Sequence, residues 1–332
     1  MGTAAVGVAD RTSRRRAREP IVVGLVNNMP DGALAATERQ FREVLGAAER
    51  QLRTPVHLRV FAIPEVPRGA RGRSYVAEHA EDLGALRRAH LDGLIVTGLE
   101  PRAPKLVDEP YWQALADLID WARARTTSAV WSCLAAHATV YHIDEIARRP
   151  FAEKLLGVFE CAKASDHPIV AGMPASWRVP HSRYNDLPER ALVAAGYEVL
   201  SKSPDTGADL FVKQLGSLFL FLQGHPEYDP GALFREYRRD VGRFLRGERE
   251  DYPRPPRDYF DAATAAALEA FERRALKGRD PEMLVELPAE ETAIGPLHSW
   301  RGAAVGIYTN WLSYLASNRA ASRSTAYVKA RS

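Results

Sequence analysis

An open α/β sandwich is the architecture to which this 332-residue sequence points: a mostly parallel sheet, helices on both faces, and helical additions at the C-terminal end. Short apolar runs rich in β-branched residues alternate with segments of helical periodicity, the pattern of βαβ units. Cys133 closes one such run, Ser128-Ala129-Val130-Trp131-Ser132, and His225-Pro226-Glu227 follows closely on another, Leu218-Phe219-Leu220-Phe221-Leu222. Reactive side chains of open α/β sheets collect at the carboxyl ends of strands, so the two ends read as one site. The length is enough for a full core, and 46% apolar with 26% charged residues is ordinary for a soluble globular chain.

Taken in order, Ile21 to Val26 reads as a first strand ending at Asn27-Asn28-Met29-Pro30, and Asp31-Gly32 as a turn. Thr37 to Ala48 has helical periodicity. Val56 to Phe61 is a second strand, Pro64 to Arg73 a loop, and Tyr75 to His90 a helix. Leu94 to Val96 is a buried strand, and after a loop over Leu99 to Glu109 a helix runs from Trp112 to Arg125 into the Cys133 strand. The second half is richer in strands, at Arg178 to His181, Tyr197 to Ser201, Leu210 to Lys213 and Leu218 to Leu222. Pro230 to Leu245 reads as a helix with proline in its first turn. The proline- and arginine-rich stretch Tyr252 to Arg257 reads as a linker, followed by helices at Phe260 to Leu276 and near Tyr308 to Ala316. The resulting division is a disordered basic tail (1–19), a catalytic α/β domain (20–250), a linker and helical insertion (251–296), a C-terminal helix packed on the catalytic domain (297–318) and a disordered tail (319–332).

The formal net charge is only +3, and Arg11, Arg14, Arg15, Arg16 and Arg18 supply much of it. The remainder mixes both signs, which argues against a nucleic-acid partner. No apolar stretch approaches the roughly 20 residues of a membrane span, and no signal-type apolar core precedes the first strand. Two cysteines, Cys133 and Cys161, make no disulfide framework and no metal-type spacing. The expectation is a cytoplasmic enzyme with reduced thiols, no metal and no permanently bound cofactor, and a homodimer is one possible assembly.

A thiol at the N-terminus of a helix has its thiolate stabilised by the helix dipole and by unbonded backbone N–H groups, which can also hold an oxyanion. His225 is placed to act as its base, and Glu227 to fix the tautomer of the imidazole and support its charge. Cys161, just past Val158-Phe159, reads as structural, while His181 can serve either a substrate pocket or its own loop.

These residues, together with Asn27-Asn28-Met29-Pro30, Thr37 to Phe41, Asp92 to Gly98, Glu153 to Glu160, Pro180-His181-Ser182-Arg183-Tyr184, Glu236 to Asp240 and Tyr308 to Leu312, resemble the homoserine O-succinyltransferase family, which also holds homoserine O-acetyltransferases. The resemblance covers Ile21 to about Tyr314 and implies a class I glutamine amidotransferase-like fold. It implies a ping-pong reaction in which Cys133 takes an acyl group from acyl-CoA, the co-substrate, and the hydroxyl of homoserine, deprotonated by His225, then attacks the thioester. Lys154, Ser182 and Arg239 would contact the substrate, Arg239 offering a bidentate fork to a carboxylate.

Three departures from the family pattern stand out. Leu134 and His137 replace the usual Trp and Gln after the nucleophile, and Asp31-Gly32 replaces a basic residue in a longer loop. Arg102 stands at the position where glycine in the family admits succinyl and glutamate restricts the site to acetyl, with Glu100 close by. The balance inclines to succinyl-CoA over acetyl-CoA, and serine or another amino alcohol remains an alternative acceptor, since a methylene is worth only about 1–3 kcal/mol of discrimination. A glutamine amidotransferase-like thiol hydrolase is the other reading, against which Trp131 and Ala135 stand where such enzymes carry glycines. A non-catalytic binding relative is the third.

Overall fold

The structure, a computed structural model, describes residues 19–99, 101–290 and 300–329, with side chains through Arg319. Nine strands form one sheet in the order β2-β1-β3-β4-β9-β8-β7-β5-β6. They are β1 (Ile21–Val26), β2 (Val56–Phe61), β3 (Gly93–Val96), β4 (Ser128–Ser132), β5 (Arg149–Lys163), β6 (Ser176–Asp186), β7 (Glu198–Ser203), β8 (Gly207–Leu215) and β9 (Ser217–Leu222). The helices are α1 (Leu34–Leu52), α2 (Ala70–His79), α3 (Leu83–Arg88), α4 (Trp112–Arg125), α5 (Leu134–Asp144), α6 (Glu189–Ala194), α7 (Ala232–Leu245), α8 (Ala262–Ala275) and α9 (Arg301–Lys329). No helix among the described residues is long and apolar enough to cross a membrane.

The expected parallel sheet is the half formed by β2, β1, β3, β4 and β9. From β9 outward the pairings are antiparallel. Only Gly216, at φ 92°, separates β8 from β9, and so short a connection can join only antiparallel neighbours. β5 escapes a reading by periodicity because its first part, with Arg149, Glu153 and Lys154, is largely exposed and only the stretch from Leu156 to Cys161 enters the core.

Helices cover both faces, as expected. Leu86 of α3, Ile119 of α4, Val140 of α5 and Leu192 of α6 share one core with Trp131 and Phe219. Phe41 and Val44 of α1 pack with Tyr308, Trp311 and Leu312 of α9 on the other face. The Trp311 indole N–H donates to Ser128 Oγ at 2.9 Å, tying α9 to β4. A third core joins α7 and α8 to Leu156 and Val158 of β5.

The stretch expected as a linker therefore docks rather than spans. Val158 N–H donates to Arg257 O at 2.9 Å and Arg257 N–H to Leu156 O at 3.0 Å, so Arg257 lies along β5 like a fragment of strand. Gly157, at φ 151°, makes this possible, since a Cβ there would sit 2.6 Å from Arg257 O.

Two further boundaries differ from the sequence reading. The helix expected over Tyr75 to His90 is two helices, and α2 begins inside the expected loop, at Ala70. Asp31 causes the early start: its carboxylate accepts the N–H of Gly69 at 3.3 Å and of Gly72 at 3.1 Å, satisfying donors of the first turn. The chain breaks at Glu81, whose N–H pairs with Val60 O at 2.8 Å beside β2. At the other end α9 runs past residue 318 into the expected tail. Arg319 Nε donates to Asp92 Oδ1 at 2.7 Å, and neither glycine nor proline interrupts the sequence from Ile307 to Lys329. Residues 1–18, on which the basic-tail expectation falls, and Glu100 lie outside the described residues.

Candidate active site

Cys133 stands between β4 and α5 with φ 52° and ψ −115°, a conformation that L-residues other than glycine seldom adopt. The bend is fastened from both sides. Cys133 N–H donates to Leu222 O of β9 at 2.7 Å, and Cys133 O accepts from Ala136 N–H at 3.0 Å. The sulfur is thus turned out of the strand line, ahead of the first amides of α5, which have no partners within the helix. Gly98, at the end of β3, lies so near that a Cβ on it would be 2.6 Å from Leu134 N. Only glycine lets the two backbones approach this closely.

Opposite, His225 follows β9, and its N–H donates to Pro180 O at 2.7 Å. Its Nδ1 lies 2.8 Å from Glu227 Oε1, and its ring stacks on Tyr228 with centroids 4.2 Å apart. Cys133 is its other side-chain partner. Burial opposes a charged imidazole here. Cys133 and Glu227, each through charge and a hydrogen bond, outweigh burial and hold the pKa of His225 well above the ordinary histidine value.

The three substrate residues expected from the sequence meet on one carboxylate. Ser182 donates to Glu236 Oε2, Lys154 Nζ lies 3.3 Å from the same oxygen, and Arg239 is 3.8 Å from it. Tyr228 hydroxyl donates to Glu236 Oε1 at 2.6 Å. Lys154 and Arg239 also hold Asp240, at 2.8 Å and 3.0 Å. Burial pushes the carboxyls of Glu236 and Asp240 up, but the two cations and these hydrogen bonds bring both below their ordinary values, so they stay ionised. Glu236 and Asp240, one turn apart on α7, share the helix face with Arg239. That spacing was the signal in the sequence for two residues to which it had assigned no role.

All of these groups except Asp240 line one cleft of about 330 Å³, which Met29, Pro30 and Thr97 also border. Leu134 and His137 lie in its wall, as their place just after Cys133 suggests. His137 Nε2 is 2.9 Å from Gln223 Oε1, and burial, reinforced by Arg183 and Arg148, lowers its pKa to about 3, so it is neutral. Arg102 is exposed, reaches toward Pro67 O at 3.5 Å and is not among the residues lining the cleft. Arg148, Arg183 and Tyr228, which the sequence reading passed over as site residues, do line it. Arg183 is buried, donates to Asn185 O at 2.7 Å and Gln223 Oε1 at 3.1 Å, and its charge acts on Cys133.

Cys161, His181 and Asp209 are the one group among the described residues whose donor atoms gather as metal ligands would, all within 4.8 Å of one another. They are committed elsewhere. Asp209 accepts Ser201 hydroxyl at 2.9 Å and Gly224 N–H at 3.2 Å, and Arg183 donates to His181 Nδ1 at 3.3 Å. Burial pushes the Cys161 thiol far above its ordinary pKa, which disfavours the thiolate a metal needs. Cys161 and His181 therefore belong to the structure behind the Gly224-His225 turn.

A model of the family described as homoserine O-succinyltransferase matches residues 3–322. A homoserine O-succinyltransferase of Methylorubrum extorquens is 48% identical over 299 residues, covering 90% of this chain and 88% of the relative. One of Bradyrhizobium japonicum is 46% identical, covering 91% of this chain and 93% of the relative. One of Thiothrix nivea is 38% identical, covering 87% and 81%. A solved glutamine amidotransferase from Methylobacillus flagellatus aligns with 90% of this chain and 95% of its own at 15% identity and a TM-score of 0.48, a likeness too slight to bear on function.

Proposed function

The chain belongs to the homoserine O-succinyltransferase family, and on that premise we propose that it carries a succinyl group from succinyl-CoA to the side-chain hydroxyl of L-homoserine through a thioester on Cys133, a step of methionine-type biosynthesis. The observation that carries the reading is the single cleft in which Cys133, His225 and Glu227 face the cluster of Ser182, Lys154, Glu236 and Arg239.

In the first half-reaction Cys133 Sγ attacks the thioester carbonyl of the donor. The Leu134 amide, at the start of α5, would hold the oxyanion. The bond from carbonyl carbon to CoA sulfur breaks, and the His225 imidazolium gives its proton to the departing CoA thiolate. Acylation also removes the interaction with Cys133 that raises the pKa of His225. The imidazole left behind, still oriented by Glu227, is a neutral base suited to the next step.

In the second half-reaction the hydroxyl of homoserine loses its proton to His225 as its oxygen attacks the acyl carbon. The bond from carbon to Cys133 sulfur breaks, and the thiolate is restored beside the imidazolium. Arg239 is suited to the α-carboxylate of the acceptor, and Glu236 to its ammonium. Lys154 fixes Glu236 from the side, and Ser182 hydrogen-bonds it.

Steady-state release of CoA tests the order of events. Varying succinyl-CoA at several fixed concentrations of L-homoserine is expected to give parallel double-reciprocal lines, the sign of a covalent intermediate between two half-reactions. Intersecting lines mean that both substrates must be bound together and oppose the thioester route. L-Serine in place of homoserine, turned over equally well, displaces homoserine as the acceptor.

A further inference from the structure

Arg148 lies in the connection between α5 and β5 and forms part of the wall of the cleft that holds Cys133 and Leu134. Its guanidinium is half-buried yet has no hydrogen bond or ion pair among the described residues, interacting with Tyr111 and Glu109 through charge alone. Around it, buried polar atoms lack partners: the Tyr111 hydroxyl, Glu109 Oε2 and His137 Nδ1. Glu109 Oε1 is held by the amides of Arg102 and Ala103, and Glu109 forms no hydrogen bond to the arginine. A half-buried cation so placed, in the wall of a reaction cleft, keeps unused hydrogen-bond donors for an anion that enters the cleft.

We propose that Arg148 anchors the distal carboxylate of a dicarboxylic acyl donor, so that the charge selecting succinyl over a plain acyl chain comes from the α5–β5 connection. The exposed Arg102 does not face the cleft, whereas Arg148 is in it, beside the first turn of the helix that Cys133 opens. A succinyl group bound as thioester to Cys133 carries its carboxylate two methylenes beyond the carbonyl, and a planar guanidinium suits a carboxylate better than any other side chain. This inference rests on the acyl-enzyme reading above.

The test is the rate at which the full chain becomes acylated, followed by intact mass without acceptor. Succinyl-CoA is compared with butyryl-CoA, in which a methyl replaces the distal carboxylate. Arg148→Met is expected to slow acylation by succinyl-CoA about 10- to 100-fold, the effect of losing a charge-assisted hydrogen bond. Butyryl-CoA should react with the variant as fast as with the native chain, or faster, and Arg148→Lys should recover part of the succinyl rate. Equal slowing of both donors assigns Arg148 to the phosphates of CoA or to the fold and overturns the proposal, as does an unchanged succinyl rate. If the native chain is acylated by neither donor, the thioester reading itself fails, an outcome distinct from either of these.

Discussion

Holding Cys133 at φ 52° costs on the order of 1–3 kcal/mol, and the bonds from its amide to Leu222 and to its carbonyl from Ala136 are what sustain it. The same bend aims the sulfur at His225. Of the buried histidines nearby, His137 has the plainest consequence for pH. Folded, it takes a proton only near pH 3, whereas an unfolded histidine does so near about 6.5. The unfolded chain then binds more protons than the folded one between those values, so stability falls as pH drops through that window. His181, also held low by burial, adds to this fall. His225, held high, acts oppositely: its contribution is complete below about 6.5 and is lost as pH rises through its folded value. His137→Asn should accordingly lose about 2 kcal/mol less than the native chain between pH 7 and pH 5 in denaturant titrations. Equal losses contradict the assignment. Cys133, His225 and Glu227 were legible in the sequence because each closes or follows an apolar run that can only be a strand. Arg148 was not, because it follows no such run, and its meaning lies in the partners it lacks.

Asp31 illustrates what a single side chain does to an element. A carboxylate at the turn after β1 looked like the loss of a basic contact, yet it caps α2, nearly forty residues later in the chain. Asp31→Ala should lower stability by about 0.5–2 kcal/mol and quicken amide exchange in the first turn of α2. Unchanged exchange there removes the capping role. The expected loop over Pro64 to Arg73 could not have revealed this, since the cap comes from a distant part of the chain. The parallel strands were readable for the opposite reason: β3 and β9 are buried along their whole length, and their apolar runs say so. β5 was hidden because its charged first half pairs only with β6, at the edge of the sheet.

At the scale of the fold, the parallel half of the sheet supplies Cys133 and His225, the proposed nucleophile and base, and the antiparallel half with α7 supplies the proposed recognition groups. Ser182 comes from β6, Lys154 from β5, and Glu236 and Arg239 from α7. The third core, in which α8 and the docked segment at Arg257 brace α7 against β5, keeps these elements in register across the cleft. The account depends above all on one covalent bond. Its most direct test is the intact mass of the native chain and of Cys133→Ala after brief exposure to succinyl-CoA alone. The native chain is predicted to gain the mass of one succinyl group and lose it on addition of L-homoserine, while the variant, still folded, gains none. An adduct that survives Cys133→Ala, or turnover by that variant at the native rate, would contradict it.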